Sequence, residues 1–276
     1  MFEIKNNLNK EIVQRSNYIF ARMIKMSETR RKFVPTEFEI SHIEEMKPLM
    51  YPIYFFSNTH TYIPIESYTN IKEFKQSIMI KLEMLISKSP YYSIYEICEK
   101  EKTIEERFLE DTEKVVDIIS LWNKEKENSK LVNEDIEFKM YLKLFIYYEY
   151  SKNDVDTITL MYVQTNYDVI KSKFNISKEL AIDLAAYQLS INYGNNYEVA
   201  EKFIIYSYKD YIPAKLFNNK SEECSIIIDK VCEKYKSLEG IKPIEAKIKY
   251  LELIKSNPLF MAHQFNVKVR IIIILQ

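Results

Sequence analysis

The chain's hydrophobic positions repeat at helical spacing, switch to period two, and return to helical spacing. Across residues 8–26, Leu8, Ile12, Ile19 and Met23 fall on one helical face, which predicts a single helix. Pro35 then precedes Thr36-x-x-Glu39, a capping-box signature that opens a short helix carrying Phe38, Ile40 and Ile43 and closing before Pro48. From Met50 the period becomes two. Pro52 to Phe56 reads as a strand, Ser57 to His60 as a turn, and Tyr62, Ile63 and Ile65 as part of a second strand. Asn70, with Glu73 three residues on, caps a helix whose stripe is Ile71, Phe74, Ile78, Leu82, Leu85 and Ile86. Tyr91 to Cys98 is expected as a third strand and Val115 to Trp122 as a short apolar segment. The charged run Lys124 to Lys130 is expected as a solvated linker. Glu137 to Tyr148 alternates, as a strand or extended segment would.

Helical spacing resumes in the stretch the rest is organised around, Thr157 to Pro213. Ile158, Met161, Tyr162, Thr165, Val169 and Ile170 form one face. Ser177 N-caps a second helix with Leu180, Leu184, Ala185, Gln188 and Ile191 on its stripe. Ala185 and Ala186 narrow that stripe, so a neighbouring helix can approach closely. Gly194 stands where a left-handed cap would end the helix. Ser221 to Lys236 and Pro243 to Ile254 predict two more helices, the latter with Pro in its first turn. Beyond Pro258 the pattern is β-like and ends in an apolar run, Ile271 to Leu275, far short of the roughly 20 residues a membrane span needs.

Composition narrows the function classes. The chain has 276 residues, enough for a large core and about two domains. A net charge of −1 gives no bulk attraction to nucleic acid, and two glycines cannot build a phosphate-cradling loop. Cys98, Cys224 and Cys232 are odd in number and widely spaced, and His42, His60 and His263 are scattered. Buried reduced thiols are expected rather than a disulfide framework or a zinc site. No catalytic signature occurs, so neither an enzyme nor a cofactor is expected. Arg30, Arg31 and Lys32 make a short basic run that reads as a solvated loop or as a contact for an anionic surface.

The central stretch also resembles a known family. The segment YDVIKSKFNISKELAIDLAAYQLSINYGN, with Tyr211-Ile212-Pro213 after it, is similar to the helical second lobe of FERM domains. LEGIKPIEAKIKYLELIKSNPLF is similar to the end of that lobe through Gly240, Glu245, Ala246, Tyr250, Leu251 and Pro258. YSIYEICEKEKTIEERFLEDTEKVVDIISLW resembles the end of the first, ubiquitin-like lobe. The segment RRKFVPTEFEISHIEEMKPLM resembles the tail end of a myosin tail homology 4 domain, through Arg31, Phe33, Pro35, Glu39 and Ile43. After Pro258 the sequence resembles the opening of the third lobe, with Met261-Ala262-His263 where the family writes glycine.

The resemblance implies an α+β chain: residues 1–48 a helical remnant of a myosin tail homology 4 domain, 49–130 a ubiquitin-like β-grasp lobe, 131–257 a helical lobe shaped like acyl-CoA-binding proteins, and 258–276 the start of a pleckstrin-homology-like lobe. It further implies a non-catalytic protein-interaction module of an unconventional myosin tail. Such a module links to cargo, receptor cytoplasmic tails or filaments, in the cytoplasm and on the cytoskeleton, with a peripheral contact to anionic membrane and no nucleic acid. On this reading the chain is a fragment of a longer tail. The alternative is a stand-alone FERM scaffold joining plasma-membrane proteins to actin. An acyl-CoA-binding activity would rest on fold analogy alone.

Overall fold

A computed structural model describes residues 2–28, 31–57, 59–100, 103–130, 135–216 and 221–260. The chain divides into two compact units, residues 1–144 and 145–276.

The first unit opens with α1 (Phe2–Glu28) and α2 (Glu37–Glu44). There follow β1 (Leu49–Tyr54), β2 (His60–Ile65), α3 (Ile71–Lys81), β3 (Tyr92–Lys100), β4 (Ile104–Phe108), α4 (Val115–Lys130) and β5 (Ile136–Leu144). The strands form one sheet in the order β2-β1-β5-β3-β4. All neighbours are antiparallel except β1 and β5, which are parallel and share the single register pair Tyr54–Tyr141. Two prolines bear on this pairing. Pro52 faces Tyr62 and Pro64 faces Met50, pairs of the same parity in an alternating antiparallel ladder. Neither proline can donate, so on β1 the ladder toward β5 lacks a donor at Pro52, and the open edge of β2 is blunted at Pro64.

The apolar alternation puts Ile53, Ile63, Ile65, Ile94 and Leu142 on the side covered by α3 and α4. Trp122 of α4 stacks on Phe138 of β5 with ring centroids 5.3 Å apart. Its Nε1–H donates to Glu96. Asn70 and Glu73 form the reciprocal capping box the sequence predicts. The helix they open ends at Lys81, however, because Glu83 turns the chain at φ +56°. Ile71, Phe74 and Ile78 of the predicted stripe are buried, while Leu85 (65% exposed) and Ile86 (50% exposed) lie beyond the helix and outside the core.

The structure corrects the expected linker at 124–130 and forms the strand expected within 137–148. The charged run 124–130 is the last two turns of α4, held in a helix whose first turns bury Val115, Val116, Ile118 and Trp122. Residues 136–144 are a strand in the middle of the first sheet, bonded to β3 along its whole length. The first compact unit therefore runs through Leu144, and it includes the segment 1–48.

The second unit is helical: α5 (Val155–Ile170), α6 (Lys178–Tyr193), α7 (Tyr197–Ser207), α8 (Ser221–Lys236) and α9 (Pro243–Ile254). α6 packs against α7, α8 and α9, and α5 lies on α9. Ala185 and Ala186 are at most 1% exposed, as expected of small residues where helices approach closely. Asp154 caps α5 and Ser177 caps α6. Gly194 ends α6 with φ +57° and ψ −122°, a conformation open to glycine and costly for any residue with a Cβ. The expected third-lobe segment from Met261 onward lies outside the described residues.

Candidate functional site

The predicted capping box at Thr36 forms by half. Thr36 Oγ1 accepts the backbone N–H of Glu39 at 3.2 Å, but the Glu39 carboxylate turns away from the cap. A stronger partner takes it. Glu39 is buried at 2% exposure, and its Oε1 accepts a charge-assisted hydrogen bond from Nη1 of Arg31. The same guanidinium donates through Nε to Oδ1 of Asp117 at 2.7 Å and reaches Ser120 Oγ at 3.4 Å. Asp117 lies in the first turn of α4, where the helix dipole favours a carboxylate. It also accepts the backbone N–H groups of Lys32 (3.2 Å) and Phe33 (3.3 Å). Burial pushes the Lys114 ammonium below its ordinary range, against the opposing pull of Asp117.

This cluster is a clamp rather than a reactive centre. Asp117 accepts three donors from the segment 31–33, which leaves it no role as a general base. Glu39 Oε2 accepts no hydrogen bond although it is buried, a local cost that the ion pair with Arg31 offsets. Of the predicted basic run, Arg31 is directed into the unit and Lys32 is exposed. Arg30 lies outside the described residues. The structure thus does not set Arg31 and Lys32 side by side on one open surface. The clamp was not legible in the sequence, because the partners Asp117 and Ser120 stand 86 and 89 residues away.

A second clamp ties α1 to the same unit. Arg22 grips Glu66 in bidentate fashion, Nε to Oε2 at 3.0 Å and Nη2 to Oε1 at 2.6 Å. Its guanidinium lies over the Tyr18 ring, 3.3 Å from the centroid. One turn on, Lys25 sits over Tyr68 at 4.6 Å. These contacts all use one face of α1.

The sheet face opposite α3 and α4 is aromatic and cationic. Tyr54 meets Tyr141 at 5.8 Å and His60 at 5.3 Å, and Lys139 sits over the Tyr54 ring at 5.4 Å. Lys143 pairs with Glu106 and lies over Tyr95 at 4.8 Å. Tyr62 and Met50 on this face are 52% and 43% exposed. Tyr95, Tyr141 and Lys143 are buried, so their ring contacts are internal packing, and Tyr62 and Met50 belong to the exposed part of this face.

In the second unit several polar side chains serve the packing of the helices. Tyr235 Oη donates to the Gly194 carbonyl at 2.6 Å and Tyr250 Oη to Asn166 at 3.1 Å. Gln188 holds the Asp210 carbonyl. Burial raises the phenol of Tyr250 well above its usual range and pushes all three cysteine thiols up, so they are neutral thiols near pH 7. Among the described residues no group of histidine, cysteine and carboxylate side chains could hold a metal ion, and no helix is long and apolar enough to cross a membrane.

Two family models match in tandem. Residues 47–146 match the RA-like domain, and residues 149–265 match the FERM central domain. An uncharacterized Drosophila melanogaster protein is 25% identical over 242 residues, which is 81% of this chain and 13% of that protein. Talin-1 of Gallus gallus is 28% identical over 124 residues, 43% of this chain and 5% of talin-1. The chain therefore spans a small fraction of the length of these relatives. Among solved structures, the human myosin 7b C-terminal MyTH4-FERM domain, in complex with the harmonin-a PDZ3 domain, has the same fold with a TM-score of 0.65. The match is at 19% identity over 85% of this chain and 47% of that one.

Proposed function

We propose that this chain is a non-catalytic protein-interaction module of a cytoskeletal motor tail, built from the first two lobes of a FERM domain and linking the motor to cargo, receptor tails or filaments. The observation that carries the reading is the order of the matches, an RA-like region followed after two residues by a FERM central domain. The myosin-tail context rests on the segment from Arg31 to Pro48, which leads directly into β1 and resembles the end of a myosin tail homology 4 domain. In this reading residues 1–48 belong to that domain and the chain works at the cytoskeleton. Arg30 and Lys32 remain the candidates for an anionic contact, with Arg31 supporting them from inside.

The alternative, a stand-alone FERM scaffold between membrane proteins and actin, shares every feature except the segment before β1. A transcript reading through both ends of this frame separates the two. Motor sequence upstream supports the proposal, and a stop codon in frame above Met1 overturns the motor context. The interaction role is tested by titrating the purified chain with fluorescent receptor-tail peptides and by co-sedimentation with actin filaments and microtubules. Saturable binding is expected with at least one class; no binding in any of them at tens of micromolar would defeat the reading.

A further inference from the structure

α3 closes in a turn that sends apolar side chains outward. Glu83 takes φ +56°, its N–H donates to the Ile80 carbonyl at 3.1 Å, and the Met84 N–H donates to the Met79 carbonyl at 2.9 Å. That pair of bonds is a Schellman motif, and it fixes where the chain goes next. Met84 is buried, whereas Ile80, Leu85 and Ile86 are 62%, 65% and 50% exposed. Three aliphatic side chains thus stand in water around one turn. Lys81 and Lys88 flank them, and Glu83 is the only carboxylate between residues 74 and 95. Lys75, the remaining lysine of that stretch, is buried and held by Asp111. The turn lies inside the RA-like match, remote in sequence from either end of the chain.

We propose that this turn is a membrane anchor: Ile80, Leu85 and Ile86 enter an anionic lipid bilayer, with Lys81 and Lys88 among its headgroups. The size and charge of the tip single out a bilayer. Three side chains on an exposed turn fall well short of the roughly 800 Å² per partner of a stable protein interface. A bilayer needs no matching groove, and shallow burial at the boundary of headgroups and acyl chains suits a few aliphatic side chains. Two lysines against one carboxylate give the tip a net positive charge. Each lysine near an anionic leaflet strengthens binding about fivefold. The bonds of the closing turn hold the tip in place, so no segment has to fold on contact. The anchor uses none of residues 1–48, so it holds for a motor tail and for a scaffold alike.

The test is co-sedimentation of the purified 276-residue chain with phosphatidylcholine vesicles. One set is pure and the other carries about 30% phosphatidylserine, both at roughly 0.1 M salt. Leu85→Glu and Ile86→Glu change exposed side chains, so circular dichroism and Tm should match the parent. Leu85→Ser replaces any variant whose fold is lost. The expected result is weak, saturable binding to the anionic vesicles that either glutamate reduces at least about tenfold. Lys81→Glu should reduce it at least about fivefold, and Lys32→Ala should leave it unchanged. No binding at several millimolar lipid overturns the proposal, as does binding no stronger to anionic vesicles than to pure phosphatidylcholine. Binding that survives the substitutions at Leu85 and Ile86 overturns it by placing the contact elsewhere. None of these outcomes bears on the peptide and filament titrations that test the interaction role.

Discussion

Arg31 and Asp117 stand 86 residues apart in the chain, and Nε of one lies 2.7 Å from Oδ1 of the other. Both side chains are about nine-tenths buried, so their charges are screened little by water. Removing one partner strands the other in a poorly solvated site. Arg31→Ala or Asp117→Ala should each lower unfolding free energy by roughly 3–5 kcal/mol, measured by urea denaturation. Lys32→Ala, at the exposed neighbour, should change it by no more than about 0.5 kcal/mol. Equal small effects at all three positions would contradict the clamp.

Arg22 and Glu66 should couple. Their side chains are 15% and 29% exposed and their contact is bidentate, unlike an ordinary surface pair. A double-mutant cycle with Arg22→Ala and Glu66→Ala should give a coupling of roughly 0.5–3 kcal/mol. Both single variants should also speed limited proteolysis within α1, since the helix is held to the unit by this face. A coupling indistinguishable from zero would mean α1 is held by something else.

Replacing Gly194 with alanine should destabilise the second unit. No atom lies within 4 Å of the position a Cβ would take, so crowding is not the cause. The cost is the backbone at φ +57°, ψ −122°, roughly 1–3 kcal/mol. Thermal unfolding followed by helix signal should show a lower Tm for Gly194→Ala, and an unchanged Tm would show that the turn relaxes freely.

Alkaline pH should unfold the chain through its tyrosines. Burial raises Tyr95 and Tyr235 to about 12 and also raises Tyr162 and Tyr250 above the ordinary phenol range. A phenol with a raised folded pKa contributes stability that is complete below its unfolded value, near 10, and is lost as pH rises through the folded value. Ultraviolet titration of tyrosinate should therefore show exposed residues ionising near pH 10. A second, cooperative step should follow above it, together with loss of helix signal. A single non-cooperative titration near 10 would show these side chains to be open to water.

The alternation and capping residues by themselves determined much of this protein. The helices at 71, 178, 221 and 243, the first hairpin, and the buried faces Ile158–Val169 and Leu184–Gln188 follow from local period and local hydrogen bonding. Those signals are carried by residues within a turn or two of each other, so reading them needs no knowledge of the rest of the chain. Tertiary structure decided what local pattern leaves open. The charged run 124–130 is helical because the apolar turns before it are pinned to β5. Residues 136–144 became a central strand because β3 offered a full-length antiparallel edge. Arg31 left the surface, and Glu39 abandoned its half of a capping box, because Asp117 and Ser120 were brought to them by the fold. In each case the deciding partner comes from outside the local stretch, and for Arg31 and Glu39 that partner decides the fate of a charge. An exposed charge and a clamped one look alike in sequence, and only a partner fixed by long-range packing makes burial of the charge affordable.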